Sequence, residues 1–269
     1  MAIKDITLGQ YYPGDSAIHQ MDPRTKLIGT VVFLVSLFVV KNFTGFLFCA
    51  LCLAAVVKIS GVPFKYMARG LKAVMFLIVF TAILNLFMTP GDPIWKLGFL
   101  KISKEGIYRS AFMAIRLVML IFGSSLLTLT TKPVAMTDGM ERLFSPLAKV
   151  GLPAHELAMM MTIALRFIPT LLDETDKIMK AQTARGADFE SGNLIERAKG
   201  LIPLLVPLFV SAFRIAGDLA MAMEARCYRG GDGRTRMNGM AFSKLDFLAA
   251  VLMVLYFAAV IAISRMPLF

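Results

Sequence analysis

Long apolar runs separated by short polar punctuation occupy the first half of the chain. The first run, Leu27 to Val40, follows Asp22-Pro23, an N-cap carboxylate ahead of a proline at the first helical position, where the missing N–H costs nothing. A helix is therefore expected to begin near Pro23. Lys41-Asn42 stops it, and a second run continues from Phe43 to about Val57. Each run is a little short of the roughly 20 residues that span a hydrocarbon core, so the pair reads as a tight helical hairpin with Lys41 at the far surface. Lys58, Lys65, Arg69 and Lys72 surround the next turn, which holds Gly61 and Pro63, and a third helix is expected from about Lys72 to Met88. Thr89-Pro90-Gly91-Asp92-Pro93 closes it. The stretch from Ile94 to Ser103 resembles a small hairpin with Trp95 as an interfacial anchor. A fourth helix is predicted from about Ile107 to Thr131, and Leu245 to Ile263 makes the last spanning helix.

After Lys132-Pro133 the pattern changes: apolar residues continue, but charges recur every few positions, as on helices half covered by lipid or protein. Met136 to Leu147 is a short amphipathic element, broken by Pro146 and Gly151-Leu152-Pro153. A helix from His155 to Arg185 carries its charges late, at Asp173, Glu174, Asp176, Lys177 and Lys180, with Pro169 as a kink. A turn follows over 188–193, and a further helix is expected from Leu194 to Arg226, interrupted by Pro203 and Pro207. The predicted fold class is an all-α integral membrane protein, with about five transmembrane helices plus a cytoplasmic domain of long amphipathic helices. The predicted boundaries are 1–131 for an N-terminal membrane domain of four transmembrane helices, 132–243 for the cytoplasmic domain and 244–269 for a C-terminal transmembrane helix.

Composition agrees with a membrane protein. Hydrophobic residues make up 57% of the 269, mean hydropathy is +0.70, and charged residues are 17%, against about 25% in soluble domains. The net charge of +11 does not imply nucleic acid, because no basic run is interleaved with aromatics as single-strand binders require. It fits orientation by the positive-inside rule. With the N-terminus inside, 22 Lys and Arg fall on inner segments and six on outer ones (Lys41, Lys96, Lys101, Lys104, Arg109 and Arg265), which puts the 132–243 region in the cytoplasm of a multi-pass cell-membrane protein.

Candidate catalytic and metal chemistry is sparse. Three cysteines and two histidines cannot build a disulfide framework or a four-ligand zinc site without heavy help from carboxylates. Cys49 and Cys52 form a C-x-x-C inside an apolar run and read as packing residues, while His19 and His155 near segment starts read as surface or capping residues. The first 26 residues carry no charged start followed by an apolar stretch, so no secretory signal is expected. Arg116, inside the fourth helix, is an intramembrane charge. Snorkelling toward the outer interface is the favoured reading, ahead of a substrate role or a contact with Asn85. No catalytic, cofactor-binding or metal-binding residue is predicted.

Two helix ends share a small-basic signature. The first reads Ala181-Gln182-Thr183-Ala184-Arg185-Gly186, the second Met223-Glu224-Ala225-Arg226-Cys227-Tyr228-Arg229-Gly230, with 41 residues between the arginines. Arg before Gly is a common helix ending, because the cation favours the negative end of the helix dipole and the glycine adopts the left-handed cap. Arg69-Gly70 also follows an alanine, in what reads as a basic inter-helix turn. Two such ends on one block point further, to an arginine fork pairing with a carboxylate on a partner surface.

At these residues the chain resembles the transmembrane T component of energy-coupling factor (ECF) transporters, the EcfT family that includes cobalt-transport T components. The resemblance covers nearly the whole chain. It rests on Tyr12-Pro13-Gly14-Asp15-Ser16 followed by Asp22-Pro23-Arg24-Thr25-Lys26, on Ile102-Ser103-Lys104-Glu105-Gly106, on Arg166-Phe167-Ile168-Pro169, and on the Ala184-Arg185-Gly186 and Ala225-Arg226-Cys227 ends. It implies a scaffold subunit of an ABC importer that joins two cytosolic ABC ATPase subunits to a membrane-embedded, substrate-binding S component for uptake of vitamins or other micronutrients. The cytoplasmic region would then be a coupling domain, with Ala184, Arg185, Gly186, Ala225, Arg226 and Cys227 docking on the ATPases. Cys227 stands where the family has glycine, which puts the second cap in question and makes Gly230 a candidate for a slightly later helix end.

No GxxxxGK[ST] occurs in the sequence, so ATP would be bound by partner subunits, with no cofactor of the chain's own and no nucleic-acid partner. Met159, Met160, Met161, Met179, Met221 and Met223 offer an adaptable face for changing partners. The competing readings are a stand-alone secondary transporter, for which only Arg116 supplies a buried charge, and a membrane-embedded enzyme, for which the acidic cluster Asp173, Glu174 and Asp176 has no second constellation.

Overall fold

The structure is a computed structural model that describes residues 11–90, 93–97, 100–146, 151, 153–187, 189, 200–230 and 241–265. Its helices are α1 (Ala17–Gln20), α2 (Pro23–Val39), α3 (Phe43–Ser60), α4 (Phe64–Met88), α5 (Lys104–Thr130), α6 (Pro133–Phe144), α7 (Ala154–Ala184), α8 (Ile202–Ala225) and α9 (Lys244–Arg265), with strands β1 (Pro93–Leu97) and β2 (Leu100–Ser103) between α4 and α5. Apart from that antiparallel hairpin, in which Trp95 lies opposite Ile102 and Leu97 opposite Leu100, the described elements are helical. The chain is an all-α membrane protein. The anchoring role expected of the Trp95 side chain lies outside the described residues, as does the predicted helix start at Leu194.

Among the described residues six helices are long and apolar enough to cross a membrane: α3, α4, α5, α7, α8 and α9. The sequence pattern led us to expect about five with a different membership. At 17 residues α2 lies at the short end of the spanning range, and α7 and α8 join the apolar set because their charges are concentrated toward their C-terminal ends. A second difference concerns α4, which begins at Phe64 rather than near Lys72. The turn before it is only Gly61 to Pro63, with Gly61 left-handed at φ 68°, so Arg69-Gly70 is helix interior and not a helix end. Gly70 there faces α5, where a Cβ would meet Ser125 Oγ at 3.1 Å.

The described residues form two compact units, one within Gly9–Gly139 and Gly239–Phe269, the other within Met140–Asn238. The division falls inside α6. In the first unit α2 packs on α5 and α9, and α4 and α3 pack on α5. Leu37, Val40, Phe46, Cys49, Leu53, Met119, Leu126 and Val260 form its main apolar core. Within this core the Tyr256 hydroxyl meets Ser36 Oγ at 2.7 Å and Cys49 Sγ at 3.2 Å. Cys49 is thus a buried packing residue with one polar contact, and both it and Cys52 are free thiols.

One end of this unit is tied by polar groups from distant parts of the sequence. Asp22 caps α2, its Oδ1 accepting from the Arg24 N–H at 2.9 Å, and its own N–H donates to Asp246 Oδ1 at 2.9 Å. Asp246 Oδ2 accepts from both the N–H and the hydroxyl of Ser243 at 2.8 Å, capping α9. Lys26 Nζ donates to the carbonyls of His19 and Thr130, each at 3.0 Å, so a buried cation satisfies an orphan carbonyl at the C-terminal end of α5. His19 is part of the same knot, its ring nitrogens meeting Ser16 Oγ at 2.7 Å and the Tyr12 carbonyl at 3.0 Å. The N-terminal motif Tyr12 to Ser16 and Asp22 to Lys26 therefore folds as the clasp joining α2, α5 and α9.

Burial alone would push the Asp22 carboxyl up, but the side-chain and backbone hydrogen bonds from Arg24 and its charge together hold it below its ordinary value of 3.8. A carboxyl depressed on folding contributes stability at pH above its unfolded value and loses it only as the pH falls through the lower, folded value. The contribution of this site to the wild-type unfolding midpoint should accordingly be constant between pH 7 and about 4 and fall below that, a fall that Asp22→Asn reduces. At the opposite end of the unit, Gly106 lies where a Cβ would sit 2.7 Å from the Leu86 carbonyl and 3.0 Å from Ser103 Oγ. Because backbone must move to make room, Gly106→Ala should cost about 1–3 kcal/mol, read as a lower unfolding midpoint in detergent.

Candidate functional site

The two arginine-bearing helix ends both lie in the second unit. At the end of α7, Arg185 takes the C-cap with φ −87° and ψ 4°. Gly186 follows in the left-handed region at φ +88°. The Gly186 N–H donates to the Thr183 carbonyl at 2.9 Å and the Ala187 N–H to the Gln182 carbonyl at 3.0 Å. These are the two bonds of a Schellman cap, which satisfy carbonyls that the helix cannot. At the end of α8, Arg226 takes the C-cap with φ −91° and ψ 12°. The Cys227 N–H donates to the Glu224 carbonyl at 2.8 Å and the Tyr228 N–H to the Met223 carbonyl at 3.1 Å. The two ends are the same motif, residue for residue.

The later ending at Gly230 expected from the sequence does not occur. Cys227 itself occupies the left-handed position at φ 55°, and it is the sole non-glycine residue with positive φ among the described residues. For an L-residue this conformation costs about 1–2 kcal/mol, which the two cap bonds and the packing of Tyr228 offset. Ala184, Arg185, Gly186, Ala225, Arg226 and Cys227 are all exposed. Neither arginine makes an ion pair with a described residue, so each guanidinium fork is free to pair outward.

Tyr228 shows how the second end is braced, and sequence reasoning missed it. Its hydroxyl contacts Met159 Sδ at 3.0 Å and His155 Nε2 at 3.3 Å. The other ring nitrogen of His155, Nδ1, lies 2.9 Å from Glu141 Oε1. A carboxylate can only accept, so Nδ1 carries a proton. His155 is therefore a bridge between α6 and the α8 cap rather than a lone surface residue.

This bracing also fixes the separation of the arginines. Tyr228 sits against residues in the first turns of α7, whereas Arg185 caps the far end of that 31-residue helix. From Met159 to Arg185 the helix rises roughly 39 Å at 1.5 Å per residue. The two forks therefore stand at opposite extremities of α7, tens of ångströms apart, with Pro169 and the exposed Arg166 in between. Of the six methionines expected to form an adaptable face, Met160, Met161 and Met221 are exposed, and Met159 is taken up by Tyr228. No group of His, Cys, Asp and Glu capable of holding a metal ion occurs among the described residues.

The family described as cobalt transport protein, CbiQ, matches residues 14–237. A protein of Clostridium kluyveri named energy-coupling factor transporter transmembrane protein EcfT is 59% identical over 251 residues, covering 93% of each chain. The chain belongs to this family. A protein of the same name from Thermosediminibacter oceani is 59% identical over 249 residues, covering 93% of this chain and 94% of its own. The one from Bacillus subtilis is 49% identical over 240 residues, covering 89% and 91%. Both arginine ends fall inside the matched region. This member of the EcfT family is thus a multi-pass transmembrane component of transport machinery.

The cap geometry can be checked directly. Cys227→Gly should stabilise the α8 end by about 1 kcal/mol, and the reciprocal Gly186→Cys should destabilise the α7 end by about 1–2 kcal/mol. The check is hydrogen exchange at the Tyr228 and Ala187 amides, where protection should rise in the first variant and fall in the second.

Proposed function

We propose that this chain is the scaffold subunit of an ECF-type ABC importer, coupling ATP hydrolysis by two cytosolic ATPase subunits to the reorientation of a substrate-binding S component during uptake of vitamins or other micronutrients. The observation that carries the proposal is the pair of matched caps, one ending α7 and the other ending α8 beside the start of α7, each presenting an arginine with no ion pair among the described residues. Two identical motifs so far apart suit two copies of one kind of partner better than a single site. Ala184 and Ala225 leave the backbone beside each fork open, and a guanidinium can pair bidentately with an acidic groove on each ATPase.

On this reading residues 132–243 form the cytoplasmic coupling domain, flanked by the membrane domain 1–131 and the last helix 244–269, with the N-terminus inside. ATP is handled by the partners. Closure of the two ATPases moves both arginine ends, and because α7 and α8 are long continuous helices the displacement is transmitted along them rather than absorbed. The N-terminal half of α8, where Val206, Phe209, Val210 and Phe213 are exposed, supplies an apolar face for the S component or the lipid around it.

Removing one partner of a desolvated charge pair costs about 2–5 kcal/mol. Arg185→Ala and Arg226→Ala should each weaken co-purification of the ATPases, and the double variant should abolish uptake with membrane insertion intact. Arg69→Ala, in the Ala-Arg-Gly triplet inside α4, should leave ATPase recovery unchanged. Normal ATPase recovery and uptake by the double variant would overturn the docking assignment. Uptake into vesicles containing this chain alone would favour a stand-alone carrier.

A further inference from the structure

A cavity of about 450 Å3 opens in the first unit, where α2 and α4 finish and α3 and α5 begin. Three cations line it: Lys41 just beyond α2, and Arg109 and Arg116 on α5. No Asp or Glu does. Arg116 enters α5 twelve residues after its first, about 18 Å along the helix axis, so it lies at membrane depth. Its guanidinium rests against aromatic rings, with centroids of Phe112, Phe38 and Phe46 at 5.0, 5.4 and 5.8 Å. Its polar contacts are poor: Nη2 reaches the Val40 carbonyl at 3.4 Å and Nη1 the Met113 sulfur at 3.7 Å. Nε is buried without a partner.

A guanidinium carries five donors and no acceptor, and a cation held in an apolar site without a counter-charge is costly. Here three cations converge on one cavity with no described carboxylate to balance them. The missing component is an oxyanion. The rim indicates its source, because Phe38, Tyr108 and Met113 are exposed around the opening and would present apolar surface to a soluble anion but match the glycerol and upper acyl chain of a lipid. Lys, Arg and Tyr at helix ends are also the residues that meet headgroups at the membrane interface.

We propose that this cavity binds the phosphate of an anionic phospholipid, with Arg116 as the deep donor and Arg109 and Lys41 closing over the headgroup. Arg116 then acts as one wall of a lipid site rather than as a substrate ligand. A lipid bridging α2, α4 and α5 would hold together the end of the unit opposite the Asp22–Asp246 clasp. The proposal needs no assumption about the ATPases or the S component.

The test uses the full-length chain purified in mild detergent with any subunits that accompany it, stripped by prolonged washing and then given phosphatidylglycerol, phosphatidylcholine or inorganic phosphate. Retention is read by native mass spectrometry and stability by the thermal midpoint. Phosphatidylglycerol should be retained and raise the midpoint, while phosphatidylcholine and inorganic phosphate do so weakly. Lys41→Gln with Arg109→Gln, which leaves the Arg116 packing in place, should weaken phosphatidylglycerol retention at least about tenfold, as expected for losing two basic contacts. Arg265→Gln, a basic residue at the same end of the bundle but outside the cavity, should leave it unchanged. Equal retention by the double variant and the wild type, or equal protection by phosphatidylcholine, would overturn the site. Full protection by inorganic phosphate without lipid would overturn the lipid assignment in favour of a soluble anion.

Discussion

The clasp formed by Asp22 and Asp246 is the interaction on which the first unit depends. One buried carboxylate, Asp246, accepts the N–H of Asp22, 224 positions away, with one oxygen and caps α9 with the other, so the starts of two helices are held by a single side chain. Asp22 in turn caps α2 and pairs with Arg24 at 2.8 Å. Two acidic groups side by side would repel, and the arrangement holds because each accepts N–H donors and Arg24 balances the charge. With the starts of α2 and α9 fixed in parallel, the apolar faces below have one way to meet: Tyr256 reaches Ser36 and Cys49, and Ser264 Oγ reaches the Val39 carbonyl at 2.9 Å near the far ends.

A membrane environment sharpens this constraint. Lipid offers no hydrogen bonds, so helix ends must be satisfied by the chain or lie at the interface. Several helix ends here have their own device: Ser103 for α5, Asp22 for α2, Lys26 for the Thr130 carbonyl at the end of α5, and the paired Schellman caps for α7 and α8. The caps that carry the arginines differ from the others in one respect. Their satisfied backbone leaves the adjacent cation exposed, so the site is built by completing the helix rather than by interrupting it.

Much of the fold was legible because apolar periodicity and capping chemistry are local. Asp22-Pro23 marked the start of α2, and Ala184 to Gly186 marked the end of α7. What failed were the places where a local rule met a tertiary one. Basic residues around Arg69 read as a turn, yet the short Gly61–Pro63 loop suffices and Gly70 packs closely on Ser125 of α5. Half of the candidate site, the arginine ends themselves, was visible from residue types. The brace through Tyr228, His155 and Glu141 was not, because it joins three elements by side-chain contacts that no spacing encodes.

Cys227 shows why the arginine and its cap are separable. Glycine is favoured at the left-handed position because any Cβ there crowds the carbonyl that follows, a cost of about 1–2 kcal/mol. That penalty falls on the helix end, whereas outward pairing depends on where the guanidinium points, and Arg226 adopts nearly the backbone angles of Arg185. The brace is what allows the substitution: Ala187 follows Gly186 with a methyl group, but Tyr228 follows Cys227 with a ring fixed on Met159 and His155. The end with the less favourable cap residue is therefore the one that carries the extra tertiary contact, and the geometry of the two arginines is kept equal by unequal means.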